Sequence, residues 1–242
     1  MPETTQPAPT DLGFNPEASI SFHDQVGLFD PSTFVLDVHV IGCGSIGQAI
    51  IQLLPKYGIK KIHVWDDDYA SEPHNIPAQI ISGLDHVGQY KVDVCADYVG
   101  PGWLNMPEEY EIITHRERVT AGTKLWGVVI VCVDSLAARA EIWKAVQNCI
   151  ADVHFYVEGR IGGLQYEGFA LIPAIYDLAQ QYETFLVSDE YASGYDCGTR
   201  SSIHVAVQLA TEMFERIRRF HNGLLIGLWF WKDIETGECH TS

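Results

Sequence analysis

The sequence predicts an α/β fold: a doubly wound, mainly parallel sheet with helices on both faces and a strand extension at the C-terminal end. Three observations carry this. A β-branched-rich run, "FVLDVHVIG" (34–42), stops at glycine and is followed by a helical pattern and a second strand-like run, "KKIHVWD" (60–66), which makes a crossover unit of the size a parallel pair needs. A second run, "LWGVVIVCVD" (125–134), is apolar on both of its alternating faces, as a strand buried on both sides must be. Strand-like and helix-like segments then alternate through most of the chain.

The elements follow in order. "SIGQAIIQLLPKYG" (45–58) has helical spacing, with Ile46, Ile50, Ile51 and Leu54 on one face, and its end is marked by Pro55 and Gly58. Residues 85–100 read as a helix, 110–119 as a strand, and 135–150 as a helix after the aspartate that closes the 125–134 strand. "HFYVEGRIGGLQYEGFAL" (154–171) is strand-like around a glycine-rich turn. Residues 199–220 form a long amphipathic pattern whose apolar stripe includes Ile203, Ala206, Ala210, Met213 and Ile217, suited to a core or a dimer interface. "LLIGLWFWKDIETGE" (224–238) reads as one or two strands with a turn at Thr236-Gly237.

Composition narrows the class. With 47% hydrophobic residues over 242, the chain can bury a sizeable core. A formal net charge of −17 argues against a general nucleic-acid binder, which needs a basic surface. No run approaches the roughly 20 apolar residues of a membrane span. Residues 1–19 are polar and proline-bearing, without the basic and apolar regions of a signal peptide, and read as a flexible arm ahead of a single domain over 20–242. None of the six cysteines pair as Cys-x-x-Cys, which disfavours a structural zinc of that type and fits a reducing, cytoplasmic setting.

The chemistry begins at Gly42-x-Gly44-x-x-Gly47, between a strand and a helix. The first glycine makes a tight turn, the second lets backbone approach a phosphate, and the third lets helix pack on strand. The helix N-terminus adds amide donors. The same turn also occurs in α/β proteins that hold no ligand. Asp66 closes the second strand, where a carboxylate accepts hydrogen bonds from a ribose hydroxyl. Past it come Asp68, Asn75, Gln79 and Gly88-x-x-Lys91, then Asp134 and Arg139. A nicotinamide cofactor has no need of Lys91 or of an acid at 134. A triphosphate needs both, one to neutralise phosphate oxygens and one to hold Mg2+ against them.

Taken together, these motifs resemble the ThiF/MoeB/HesA superfamily, relatives of the ubiquitin-activating enzymes. The pattern is a glycine turn, Asp-x-Asp after the second strand, Asn-x-x-Arg-Gln, Gly-x-x-Lys and a later Asp-x-x-x-x-Arg, matched in order from about Phe34 to Arg160. The resemblance implies a Rossmann-like domain that binds ATP and Mg2+ and adenylates the C-terminal carboxylate of a ubiquitin-like or sulfur-carrier protein, as a homodimer. It implies that Gly42, Gly44 and Gly47 form the phosphate-side turn, that Asp66 holds the ribose, and that Asp68, Asn75, Gln79 and Lys91 line the nucleotide. It makes Asp134 the metal ligand.

The chain departs from the pattern at Ala78 and in the loop from Asp66 to Asn75, which is one residue longer than usual. In "NIPAQ" (75–79), Ala78 stands where the family carries an arginine that touches the triphosphate. Arg160 is the leading candidate to replace it, with Arg139 and Arg200 as alternatives. Cys197, in a polar, glycine-bearing loop ahead of the long helix, is a candidate nucleophile, since a thiol near a helix N-terminus has a lowered pKa. Two other readings stay open: a non-catalytic relative that serves as a dimer subunit, and a nicotinamide-dependent oxidoreductase using only the glycine turn and Asp66.

Overall fold

A computed structural model of the protein describes residues 20–69, 72–100, 106–107, 109–186 and 202–242. Among them, eight strands form one sheet: β1 (Val38–Ile41), β2 (Lys61–Trp65), β3 (Glu111–His115), β4 (Gly127–Val131), β5 (Val153–Gly162), β6 (Gln165–Leu171), β7 (Trp229–Asp233) and β8 (Cys239–Thr241). The strand order is β3-β2-β1-β4-β5-β6-β7-β8. The first five strands are parallel. From β5 onward each neighbour is antiparallel. The 3-2-1-4-5 half is the doubly wound order, and its direction reverses between β1 and β4. The hairpin that turns the sheet antiparallel pivots at Gly163, whose φ of 66° is left-handed.

Among the described residues, five α-helices cover the two faces: α1 (Ser45–Lys56), α2 (Lys91–Val99), α3 (Leu136–Asn148), α4 (Tyr176–Glu183) and α5 (Ile203–His221). Alternation along the strands decides what each face receives. Val38 and Val40 of β1 join Val128 and Ile130 of β4 under α1, α2 and α5, while Ile41, Val129 and Val131 point the other way, under α3 and α4. The apolar stripe of α5 is core: Ala206, Ala210, Met213 and Ile217 are all buried. The 85–100 segment is not one helix. A 3-10 turn (Leu84–His86) is separated from α2 by Gly88, whose φ of 94° no continuous helix contains. The expected arm over residues 1–19 lies outside the described residues.

One part of the second face is polar. His39 and His63 sit opposite each other on β1 and β2, stacked at 4.4 Å, and His63 Nδ1 lies 3.1 Å from His115 Nε2 on β3. Trp65 stacks on His115 at 3.6 Å and donates its indole N–H to His39 Nδ1 at 3.1 Å. Trp126 closes this stack edge-on. Burial pushes all three imidazoles down, against the pull of Asp37 at His63 and helped by the neighbouring histidines at His39 and His115, so that His39 is lowered to about 3 and His63 and His115 fall as well. Neutral, they behave as flat packing surfaces for the two tryptophans.

Candidate active site

The glycine turn sits at the carboxyl end of β1. Gly42 has φ 95°, and a Cβ there would lie 2.9 Å from the backbone of Cys132, the residue after β4. A Cβ on Gly47 would lie 1.8 Å from the carbonyl oxygen of Gly42, so this glycine is what lets α1 approach the turn. Gly44 differs. It is the N-cap of α1 with a φ of −78°, and a Cβ on it would meet no protein atom within 4 Å. Packing does not require glycine at 44, since a Cβ there would point into open space.

Asp66 faces this turn from β2. Its Oδ2 accepts the N–H of Cys43 at 2.7 Å and its Oδ1 accepts the N–H of Asp68 at 2.9 Å. Burial raises its pKa against the pull of Lys91 and these two amides. Asp68 pairs with Lys91 Nζ at 2.6 Å. That contact is fixed by a local antiparallel bridge between Tyr69 and Tyr90, whose rings stack at 4.4 Å, so the residues flanking the pair are clamped together. Burial works against the Lys91 ammonium, but the hydrogen bond to Asp68 and the charge of Asp66 outweigh it and raise its pKa.

Asp134 lies exposed just beyond β4, one residue before Ser135, whose Oγ accepts the N–H of Ala138 and caps α3. The next turn of α3 anchors the approach to it. Arg139 donates to the carbonyl of Val133, donates to the carbonyl of Gly159 at 2.9 Å, and pairs with Glu158 at 3.3 Å. Glu158 is fully buried and also accepts from Arg160 and from the hydroxyls of Tyr156 and Tyr182.

A cavity of about 510 Å3 opens at the carboxyl edge, where the strand order reverses. It brings together Gly42, Gly44, Asp66, Asp68, Lys91 and Asp134, drawn from separate segments of the sequence. It has an apolar side formed by Ile41, Trp65, Val119 and Ile142. Other expected residues are placed elsewhere. Asn75 heads a 3-10 turn (Ile76–Ala78), and Gln79 is buried beside Gln48 of α1; neither lines the cavity, and nor does Ala78. Gln48 holds this segment to α1 by accepting the N–H groups of Ile81 and Ser82 and donating to Ser82 Oγ. Arg160 and Arg139 do not line it either, since both are engaged with Glu158, and Arg160 also lies 4.9 Å over the ring of Phe169. Cys197 and Arg200 fall outside the described residues.

Arg118 was missed from sequence. It follows β3, lines the cavity, and donates from Nε to both carboxylate oxygens of Asp67, at 2.9 and 2.8 Å. Its signal was its place: the first residues after a parallel strand lie at the ligand-facing edge. Cys43 is pushed well up by its neighbour Cys95 and by burial, and burial pushes Cys132 up to about 12.

The open sheet, with a crevice at its reversal point, defines a Rossmann-like α/β protein. The ThiF family model matches residues 33–188, and the chain belongs to the ThiF family. No curated protein sequence matches it. Among solved structures it is similar to E. coli MccB with MccA-N7isoASN, at TM-score 0.68 and 16% identity, covering 88% of this chain and 66% of that one. It is similar to E. coli MccB with AMPCPP and selenomethionyl MccA, at TM-score 0.66 and 14% identity over 88% and 65%. PaaA gives TM-score 0.66 and 16% identity over 88% and 65%. At these identities the likeness is one of fold, and the chain spans just under two thirds of the length of these proteins.

Proposed function

We propose that the protein is an ATP-dependent adenylyltransferase that activates the C-terminal carboxylate of a ubiquitin-like or sulfur-carrier protein. The observation that carries this is the single crevice uniting Gly44, Asp66, the Asp68–Lys91 pair and Asp134. Membership of the ThiF family supports it, and so does the fold shared with MccB, which was solved with AMPCPP and MccA together. One sheet runs through the described residues from β3 to β8, which supports reading 20–242 as a single unit. No helix among the described residues is long and apolar enough to cross a membrane. A homodimer working in the cytoplasm is part of the same reading.

In the reaction, an oxygen of the partner's carboxylate forms a bond to the α-phosphorus of ATP. The bond from that phosphorus to the bridging oxygen breaks, and pyrophosphate leaves. The chain's own contribution is position and charge. Asp66 receives the ribose hydroxyls once they displace its amide partners. Gly44 leaves room for phosphate at the start of α1, where the helix dipole favours an anion. Lys91 offers its ammonium from a buried position beside Asp68. The carboxylate of Asp134, exposed on the lining of the same cavity, suits a hard cation that seeks oxygen, and a Mg2+ held there would offset charge on the leaving pyrophosphate.

The test is ATP–pyrophosphate exchange, stimulated by a small protein ending in Gly-Gly. Exchange that survives both Asp134→Asn and Lys91→Ala would overturn the site assignment. A second reading, a relative that binds ATP without turnover, is favoured by Ala78 and by the absence of Asn75 and Gln79 from the cavity. ATP binding without exchange in the presence of candidate partners would establish it. A nicotinamide oxidoreductase leaves Lys91 and Asp134 without a role.

A further inference from the structure

We propose that Arg118 is the cation that takes up the polyphosphate of the nucleotide, in place of the arginine the chain lacks at position 78. This rests on the reading of the crevice as an ATP site. The argument is one of charge. Six carboxylates line the cavity, from Asp66, Asp67, Asp68, Glu117, Asp134 and Glu141, against two cations, Lys91 and Arg118. A polyanion entering such a space meets repulsion unless cations face it. Lys91 is already committed to Asp68 at 2.6 Å and lies close to Asp66. Of the other arginines considered for the role, Arg139 and Arg160 are held by Glu158 away from the cavity, and Arg200 lies outside the described residues.

Arg118 is differently placed. Both of its bonds to Asp67 come from Nε. No bond to a protein acceptor is made by Nη1 or Nη2 among the described residues, so the outer edge of the guanidinium fork remains for an oxyanion, which it can engage through two parallel N–H groups. The carboxylates that act on it are Asp67, then Asp68 and Asp134, which sets it among the acids of the phosphate side. Its side chain is 76% exposed, so it bears no part of the core. Asp67 acts as a holder: it keeps the guanidinium over the cavity mouth until a stronger anion arrives. The loop at Ala78 then needs no arginine, because the segment after β3 supplies one to the cavity.

The test is calorimetric titration of the full chain and of Arg118→Ala and Arg118→Lys with ATP plus Mg2+, and separately with adenosine, circular dichroism confirming an unchanged fold. The expected result is a loss of ATP affinity of about 10- to 100-fold for R118A, the range of a charge-assisted contact. R118K, which keeps the charge without the fork, should fall between, and adenosine affinity should be unchanged. Equal ATP binding by wild type and R118A overturns the assignment alone. Equal losses for ATP and adenosine overturn it as well, by placing Arg118 at the nucleoside. Wild-type protein that binds neither ligand overturns the underlying reading of the crevice and this assignment with it.

Discussion

Arg139 and Glu158 form an ion pair at 3.3 Å with both side chains almost wholly removed from solvent, at 3% and 0% exposure. The pair links α3 to β5 beneath the cavity, and the same guanidinium holds the carbonyl of Val133, the residue before Asp134. The proposed metal ligand is therefore exposed, yet its backbone is tied to a buried charge network. Burial opposes the Glu158 carboxylate, but Arg139, Arg160 and two tyrosine hydroxyls outweigh it and hold its pKa below the ordinary 4.5.

Arg139→Ala should destabilise the fold by about 3–5 kcal/mol, because it strands a buried carboxylate with fewer partners. Urea unfolding at neutral pH checks this. Glu158 also sets a sign. Its folded pKa is depressed, so its contribution is present above about 4.5 and is lost as pH falls through the folded value. Glu158→Gln should lower stability at pH 7 and weaken its dependence on pH below 4.5.

The histidine stack gives a second pH dependence in a different window. In the unfolded chain His39 takes a proton near 6.5; in the fold, burial first and His63 and His115 next hold it down to about 3. The unfolded state binds more protons between those values, so stability is whole above 6.5 and declines as pH falls toward 3. His39→Gln should flatten this decline, measured by unfolding midpoints at pH 8 and pH 5.

Lys91→Ala should reduce pyrophosphate exchange on the order of 100-fold, the scale of losing one preorganised charge contact. It also leaves Asp66 and Asp68 facing each other without the ammonium between them. Isothermal titration with ATP should show weaker binding while circular dichroism stays unchanged. A near-normal exchange rate would remove Lys91 from the site.

The glycines of the turn should separate fold from function. Gly47→Ala forces a methyl within 1.8 Å of the Gly42 carbonyl and should cost about 1–3 kcal/mol or more, read by thermal unfolding. Gly44→Ala meets nothing in the protein, so its melting temperature should match wild type while ATP affinity drops. If Gly44→Ala binds ATP as wild type does, no phosphate approaches that residue.

The parallel half of the fold was legible because its signals are local: glycine at the end of a β-branched run, apolar residues at helical spacing, an aspartate closing each of two strands. The Gly88 break was readable too, since a left-handed residue ends any helix, yet the 85–100 pattern had favoured one continuous element. Helix α4 escaped because its polar residues hide its short apolar face, of which Ala179 and Tyr182 are the buried members. In the site, Asp66, Lys91 and Asp134 could be placed by their position at strand and helix ends. Arg160 could not, because only the three-dimensional pairing reveals that Glu158 claims it. Arg118 was hidden because the strand read over 110–119 ends at His115, which puts Arg118 beyond the strand instead of within it.

Cys43 and Cys95 neighbour each other, with Cys132 close by, all three buried beneath the glycine turn. An alkylating reagent can reach these sulfurs only when the sheet parts from α1 and α2, so their modification rate times the opening of this corner. The molecule thus carries its own clock for that motion, one that a tightly held nucleotide should slow without any label being introduced.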